Sequence, residues 1–334
     1  MTLMRRLIYF AYYLREVDRL QLDKFMRHLR TEKGWSKMRQ WTYIVRDSFR
    51  FNISILEYYQ FRFFELPQNE KSNWAGTGTM YEFQRRANPS ATRGLLHDKR
   101  EFYRAYKKFF KHDVYSFDDL VAAPEAIEKL LASNEKLVLK DATGNCGSGV
   151  SIRPVSEFTP DQLILCMERE GFDLVETFVE QHSALNKLSP SAVNTVRIVT
   201  QISNDRGYEV LGCRLRISVD SPVDNLAAGN MAAPIDPNTG VVNGAGVFSD
   251  FTREPAVIHP VTGISVVDFQ LPFWTETLEM VREASLLHPE NRSVGWDVVI
   301  TEQGPGLIEG NHDWCKLVWQ LPVDRGLMNL LDFD

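Results

Sequence analysis

Cysteine is scarce in this chain: Cys146, Cys166, Cys213 and Cys315 are the four in 334 residues, with no CxxC pair and no accompanying histidine spacing. That excludes a structural zinc site and a disulfide framework, and favours a reducing, cytoplasmic compartment. Long apolar runs are missing too. The stretch most easily mistaken for one, Leu7 to Leu14, lies between Arg5-Arg6 and Arg15-Glu16; it is too short for a membrane span and lacks the small-residue cleavage site of a secretory signal. There is no low-complexity tract, no internal repeat and no long linker. The seven histidines form no His/Asp/Ser or Cys/His arrangement, and His182 and His312 read as satisfied polar neighbours rather than general bases. What remains is ordinary globular material: 44% hydrophobic and 25% charged residues, enough for a large core in two or three subdomains.

Charge is unevenly spread. Residues 1–111 hold 23 Lys+Arg against 11 Asp+Glu, a balance of +12, so the rest carries −18 within the total of −6. Such a basic lobe attracts nucleic acid, anionic lipid or a phosphorylated substrate. Tyr103 to Phe110 interleaves aromatic and basic residues, but these fit a helix packing face equally well and no RNA-binding signature accompanies them; no nucleic-acid partner is expected. Leu3, Leu7, Phe10, Leu14 and Val17 recur at helical spacing, predicting an amphipathic first helix whose stripe is core or a dimer surface, membrane-surface contact being the lesser alternative. Helical spacing continues to residue 65. Pro67 to Pro89, rich in Asn, Gly, Ser and Pro, reads as a loop and a domain boundary.

Near the C-terminus, Gly295 to Thr301 and Leu307 to Asn311 are two runs of strand length separated by Gln303-Gly304-Pro305-Gly306. A β-hairpin follows, and it brings Asp297 beside Glu309 and Asn311, which share one face of their strand. Two carboxylates and a carboxamide make a hard-oxygen site suited to Mg²⁺; the other reading is a polar strand end capped by solvated acids. Earlier, Lys136 to Lys140 reads as a buried strand followed by Asp141-Ala142-Thr143-Gly144-Asn145-Cys146-Gly147-Ser148-Gly149. A glycine-rich turn can aim successive backbone N–H groups at a phosphate, with Lys140 reaching over it; an ordinary hairpin with a solvated lysine is the alternative. The loop is not a Walker A motif, because Val150 and Ser151 stand where Lys and Ser/Thr belong, and Cys146 spoils a serine-hydrolase elbow.

Arg197, Arg214 and Arg216 sit in apolar strands, and a buried guanidinium requires an anionic partner. For Arg197 a phosphate or carboxylate is the preferred one; a structural ion pair is the equal alternative for Arg214 and Arg216. The loop Asn225 to Met231 would line an acceptor pocket. Further helices are predicted at about 98–111, 161–169 and 276–287, with strands between 173 and 247. Helix and strand in this order mean an α+β fold with antiparallel sheets.

Together these landmarks resemble the ATP-grasp superfamily, and within it the sugar-transfer-associated ATP-grasp family. They are Leu96-His97-Asp98-Lys99, Val138-Leu139-Lys140 with the glycine loop, Val175 to His182, Ser191 to Thr200, Asn225 to Asp236, and Asp297 with Glu309-Gly310-Asn311. The resemblance runs from about Leu56 to Asp313. Where that family usually has Gly-Gly, this chain has Gly229-Asn230.

The resemblance implies two α+β lobes closing on ATP beside a helical N-terminal region: residues 1–90 helical, 91–190 the lid and nucleotide subdomain, 191–334 the C-terminal subdomain with the metal site. It implies that Lys99 and Lys140 contact phosphates and that Gly144, Asn145, Gly147, Ser148 and Gly149 close over them. Glu176, Phe178 and Val179 would form the adenine hinge, with Glu180 on the ribose. Asp297, Glu309 and Asn311 would hold two Mg²⁺ or Mn²⁺ ions. Asn194, Arg197, Arg214, Asn225 and Gly229 would bind substrate, with Arg197, Lys140 and Arg214 catalytic. The implied activity is ATP-dependent joining of a small carboxylate, possibly sugar-linked, to an amine through an acyl phosphate, in surface-polysaccharide synthesis. A kinase acting on a hydroxyl and a silent nucleotide-binding scaffold are the alternatives, and a homodimer through the helical region is a further expectation.

Overall fold

The computed structural model describes residues 3–132, 135–144 and 149–333. Helices Leu3–Glu16, Arg19–Lys33 and Lys37–Phe51 open the chain. Asp18 caps the second by accepting from the amides of Leu20 and Gln21, and Ser36 caps the third by accepting from Arg39. Both side chains satisfy donors that a helix start leaves open. Phe25, Leu29, Ile44, Ile53, Tyr58, Tyr59, Phe61, Phe63 and Trp74 form the core of this region.

Two sequence readings change here. The predicted stripe is split: Leu7 and Leu14 point outward, while Phe10 and Val17 face the core as expected, joined by Tyr9 and Tyr13. Within Pro67 to Pro89 a helix forms at Thr77–Ala87, with Met80, Phe83 and Ala87 buried at helical spacing. Gly78 there is not a breaker: an added Cβ would lie 2.1 Å from the Asn52 side chain, so glycine permits close helix contact.

Two antiparallel sheets carry the rest. The first has the order β1-β4-β2-β3, from Val114–Ser116 (β1), Lys136–Lys140 (β2), Val150–Pro154 (β3) and Leu174–Thr177 (β4). Leu137, Leu139 and Val175 pack against Leu120, Ile127, Leu130, Leu163 and Met167 of helices Phe117–Ala122, Pro124–Ala132 and Pro160–Glu170. Side chains alternate along a strand, so Lys136, Val138 and Lys140 face the opposite side, with Val150, Ile152 and Glu176.

The second sheet has the order β7-β6-β5-β8-β9, from Val196–Ser203 (β5), Gly207–Ile217 (β6), Met231–Ile235 (β7), Ser293–Thr301 (β8) and Gly304–Asn311 (β9). Val196, Ile198, Leu215, Trp296, Val298 and Ile300 pack with Phe102, Tyr106, Val281 and Ala284 from helices Lys99–Tyr106 and Trp274–Leu287. Gly304, Pro305 and Gly306, read from sequence as turn, belong to β9. That strand is the sheet's edge, where proline costs no ladder bond, and a Cβ on Gly306 would lie 2.7 Å from Lys111 Cγ.

The helical region is fastened to the C-terminal half. Phe251 sits 4.7 Å from the Phe25 ring and 5.7 Å from Tyr59. Gln320 exchanges hydrogen bonds of 2.9 and 3.0 Å with the backbone of Ala75, and Lys316 reaches buried Glu57 at 2.8 Å.

Within the helical region, Asp47 is fully buried and accepts from Lys71 and Arg46, each at 2.7 Å. Replacing Lys71 by Met should cost roughly 3 kcal/mol of unfolding free energy, because the variant leaves much of a buried charge uncompensated. Chemical denaturation of the two proteins measures this, and equal midpoints would refute it.

Candidate functional site

The first sheet's open face, the segment 178–195 and the start of the 219–230 loop enclose a cleft of about 610 Å³. Lys140, Glu176, Phe178, Val179 and Glu180 line it, together with Thr195, Asp224 and Ile308. Strand β4 ends at Thr177, so Phe178 and Val179 lie beyond it. Beyond it, among the described residues, no backbone hydrogen bond engages the N–H or C=O groups of Phe178, Val179 or Glu180. Backbone polar groups in a folded protein are normally paired, so this edge is open to a ligand. Glu176 lies within the ladder, opposite Val114 and Val138, and offers its carboxylate to the cleft.

That carboxylate accepts from Lys140 Nζ at 2.6 Å and lies 3.3 Å from His112 Nε2. Burial pushes the Glu176 carboxyl up, but the Lys140 charge and the His112 contact outweigh it and bring it down to about 2. Lys99 begins its helix at the other side of the loop. Its amide donates to Ala142 at 3.0 Å and its Nζ to the Gly144 carbonyl at 2.6 Å, pinning the entry of the glycine loop. Gly149, at the loop's exit, accepts from the Asp141 amide. Asn145, Gly147 and Ser148 lie outside the described residues.

Across the second sheet runs a row of charge. Arg197 on β5 is opposite Asp297 on β8, which is opposite Glu309 on β9. The register then slips so that Asp297 pairs with Glu309 but Val298 with Leu307. Ile308 is the extra residue of this bulge, and it turns toward the cleft, as a bulge re-aims side chains. Arg197 clamps Asp297 in a two-pronged contact, Nε to Oδ1 at 2.5 Å and Nη2 to Oδ2 at 2.8 Å. Arg216 adds Nη1 to Oδ2 at 2.8 Å and reaches Asp224 through Nη2 at 2.7 Å. Asp224 in turn accepts from the Thr195 amide and hydroxyl.

Burial pushes the Asp297 carboxyl up, yet the two arginines hold it far below the usual carboxylate range. Glu309 is raised, first by burial and then by the charge of Asp297. Arg197 and Arg216 both stay firmly protonated: burial opposes their charge, and Asp297 for the first, Asp224 and Asp297 for the second, outweigh it. Arg216 Nε, although buried, has no hydrogen-bond partner among the described residues. Asn311 Nδ2 donates to Glu309 Oε1 at 3.1 Å and to the Gly295 carbonyl at 3.3 Å. Lys99, His97, Glu309, Asn311 and His312 surround a small recess beside this row.

The remaining sequence candidates have other surroundings. Arg214 shares the face of Arg197 but turns away, donating to the Trp319 carbonyl through Nε at 3.0 Å and Nη2 at 2.5 Å and to the Cys213 carbonyl at 2.7 Å. Burial lowers it to about 10. The second arginine on Asp297 is Arg216, one residue pair along the same strand. Asn194 is wholly buried and ties Gln181, Ser189, Ala192 and Ser218 together at the hinge. Asn225 caps the short turn Leu226–Ala228, and Gly229 ends it with φ of 86°; neither lines the cleft. Asn230, standing where the resembling family has glycine, is fully buried and stitches that loop, accepting from Val219 and donating to Val223 and Asn225 carbonyls. Asp224 escaped the sequence reading because nothing local marks an acid as the partner of an arginine eight residues back.

The depressed Glu176 carboxyl sets a pH signature. A folded-state value below the unfolded 4.5 means its stabilisation is complete above 4.5 and is lost as pH falls toward about 2. Glu176→Gln should therefore flatten stability against pH in that window. Parallel acid-unfolding curves for variant and wild type would refute the assignment.

A sequence model described as sugar-transfer associated ATP-grasp matches residues 163–333, about half of the chain. No curated protein sequence matches. Among solved structures the chain is similar to the biotin carboxylase domain of 2-oxoglutarate carboxylase from Hydrogenobacter thermophilus, in complex with MgADP, ADP and bicarbonate, at 14% identity and TM-score 0.41 over 69% of this chain and 46% of that one. It is similar to D-alanyl-alanine synthetase A from Vibrio cholerae at 11% and 0.38, over 71% and 60%, and to a D-cycloserine synthetase at 12% and 0.40, over 74% of each. The chain thus spans about half the length of the first of these. The matched region takes in the open hinge, the Arg197–Asp297 row and the Glu309–Asn311 strand end, and on it the chain belongs to the sugar-transfer associated ATP-grasp family.

Proposed function

We propose that the protein is an ATP-dependent ligase that joins a carboxylate to an amine through an acyl phosphate. The observation that carries this is continuity. The cleft with the open 178–180 backbone reaches, through Asp224 and Ile308 in its wall, the buried row of Arg216, Asp297 and Glu309. A purine edge reads well against unpaired backbone groups, and a triphosphate extending from it would pass Lys140 toward the row.

The donor set fits Mg²⁺. Asp297 Oδ2 already accepts two hydrogen bonds and Oδ1 one, so Asp297 keeps about one free lone pair, while Glu309 and Asn311 supply the other oxygens. Asp297, Glu309 and Asn311 would hold Mg²⁺ there, and the ion would supply positive charge that offsets the negative charge of the phosphates during transfer. Lys140 and Lys99 would take phosphate oxygens in place of Glu176 and the Gly144 carbonyl. Arg216, whose Nε has no partner among the described residues, and Arg197 would orient the γ-phosphoryl group and the substrate carboxylate; Arg214 has no part in this, being spent on the Trp319 carbonyl.

A carboxylate oxygen attacks the γ-phosphorus and ADP leaves; the amine nitrogen then attacks the acyl carbon, loses a proton, and expels phosphate. The co-substrates we propose are a sugar carboxylate or amino acid and a small amine, in polysaccharide assembly within a reducing compartment. The test is an ADP-release screen crossing carboxylates, including uronic acids, with amines. ADP formation that depends on both partners, with one oxygen of a labelled carboxylate appearing in phosphate, is expected. AMP production would overturn the mechanism, and a stable phosphorylated alcohol would select a kinase.

Glu309→Gln removes ligand charge from the same place. Turnover should fall at least ~100-fold, while the metal-free protein melts no lower than wild type, because the substitution also removes a like charge beside Asp297. Unimpaired ADP release by this variant would remove Glu309 from the site.

A further inference from the structure

The first helix, Leu3–Glu16, is apolar on two opposite sides. Its inner side is fully engaged. Phe10 lies 5.1 Å from the Phe49 ring, Tyr9 donates to Glu82 at 2.6 Å, and Arg6 caps the Phe49 carbonyl. On the other side Met4, Leu7, Ile8 and Tyr12 are 72%, 53%, 62% and 48% exposed. Docking on a core needs only one stripe; a second, contiguous and solvent-facing one marks an interaction surface.

Its surroundings are basic. Arg5 and Arg15 are exposed at the two ends of the helix, each beside an acid, Glu82 at 3.5 Å and Glu16 at 2.6 Å, in solvent-facing pairs that exchange readily. Beside it, on Thr77–Ala87, Arg85 lies over the ring of exposed Tyr81, which touches Tyr9 edge-on. Residues 3–51 together hold 12 Lys+Arg against 5 Asp+Glu. A second copy of the chain would bring the same arginines together across a two-fold axis, whereas anionic headgroups complement them. The helix is too short to cross a bilayer, and no helix of the described residues is long and apolar enough to do so.

We propose that this face binds the surface of an anionic phospholipid bilayer. Met4, Leu7 and Ile8 enter the headgroup–acyl boundary with the helix axis in the membrane plane. Tyr12 and Tyr81 lie at headgroup level, where amphipathic rings are favoured, and the arginines meet lipid phosphates.

Vesicle co-sedimentation of the full chain tests this, using phosphatidylcholine alone and phosphatidylcholine mixed with phosphatidylglycerol. Wild type should pellet with the mixed vesicles and not the neutral ones, and added salt should weaken the binding. Leu7→Glu/Ile8→Glu, at exposed positions that leave the core intact, should lower partitioning at least about tenfold. Arg5→Gln/Arg15→Gln should weaken binding to the mixed vesicles while keeping the apolar face. Circular dichroism and thermal melting of each variant check that the fold is retained. Absence of wild-type binding, or equal binding by the folded Leu7→Glu/Ile8→Glu variant, overturns the proposal. So does a wild-type dimer in light scattering that this variant converts to monomer, which would assign the face to a second copy.

Discussion

Asp297 is the constraint around which the site is organised. A carboxylate buried to this degree survives only because two guanidiniums meet it, and each guanidinium survives only because acids meet it: Arg197 through Asp297, Arg216 through Asp297 and Asp224. Removing ions from water costs several kcal/mol apiece, so none of these groups is tolerable alone. The cluster therefore fixes the relative positions of β5, β6 and β8 and, through Asp224 and Thr195, the approach to the hinge. Glu309 is the odd charge. Burial raises its carboxyl first and the neighbouring Asp297 charge adds to that, and by geometry three acids, Asp224, Asp297 and Glu309, stand in one row with two arginines.

A similar economy governs the cleft. Lys140 and His112 converge on Glu176, so the lysine is held at the cleft wall in a defined position. Lys99 is held by the Gly144 carbonyl and its own helix start. Both lysines reach their partners at the cleft or the loop beside it, whereas the contact of Arg214 with the Trp319 carbonyl is part of the core. Two arginines two residues apart on one strand thus have different duties, decided by what lies above each of them.

The hairpin, its Asp297–Glu309 register and the Lys136–Lys140 strand were legible because alternation and turn residues are local signals. So were the helices at 160–170 and 274–287. The first helix misled because it is apolar on both sides, and spacing alone does not say which side meets the core. Thr77–Ala87 misled because glycine used for close packing looks the same in sequence as glycine used as a breaker; the contact with Asn52, some 25 residues earlier, makes the difference. Pro305 misled likewise, since an edge strand tolerates what a central strand does not.

The sequence by itself determined the α+β pattern, the residue types of a hard-oxygen and lysine-lined site, and the family that such an ordered set of motifs resembles. These follow from short-range periodicity and from chemistry that residue type alone dictates. Tertiary structure alone decided that Arg216 rather than Arg214 reaches Asp297, that Asp224 completes the cluster, that a bulge turns Ile308 to the cleft, and that Leu7 and Ile8 face outward. Each of those depends on which groups from distant segments are within a few ångströms, and in a buried site that proximity sets both charge state and direction.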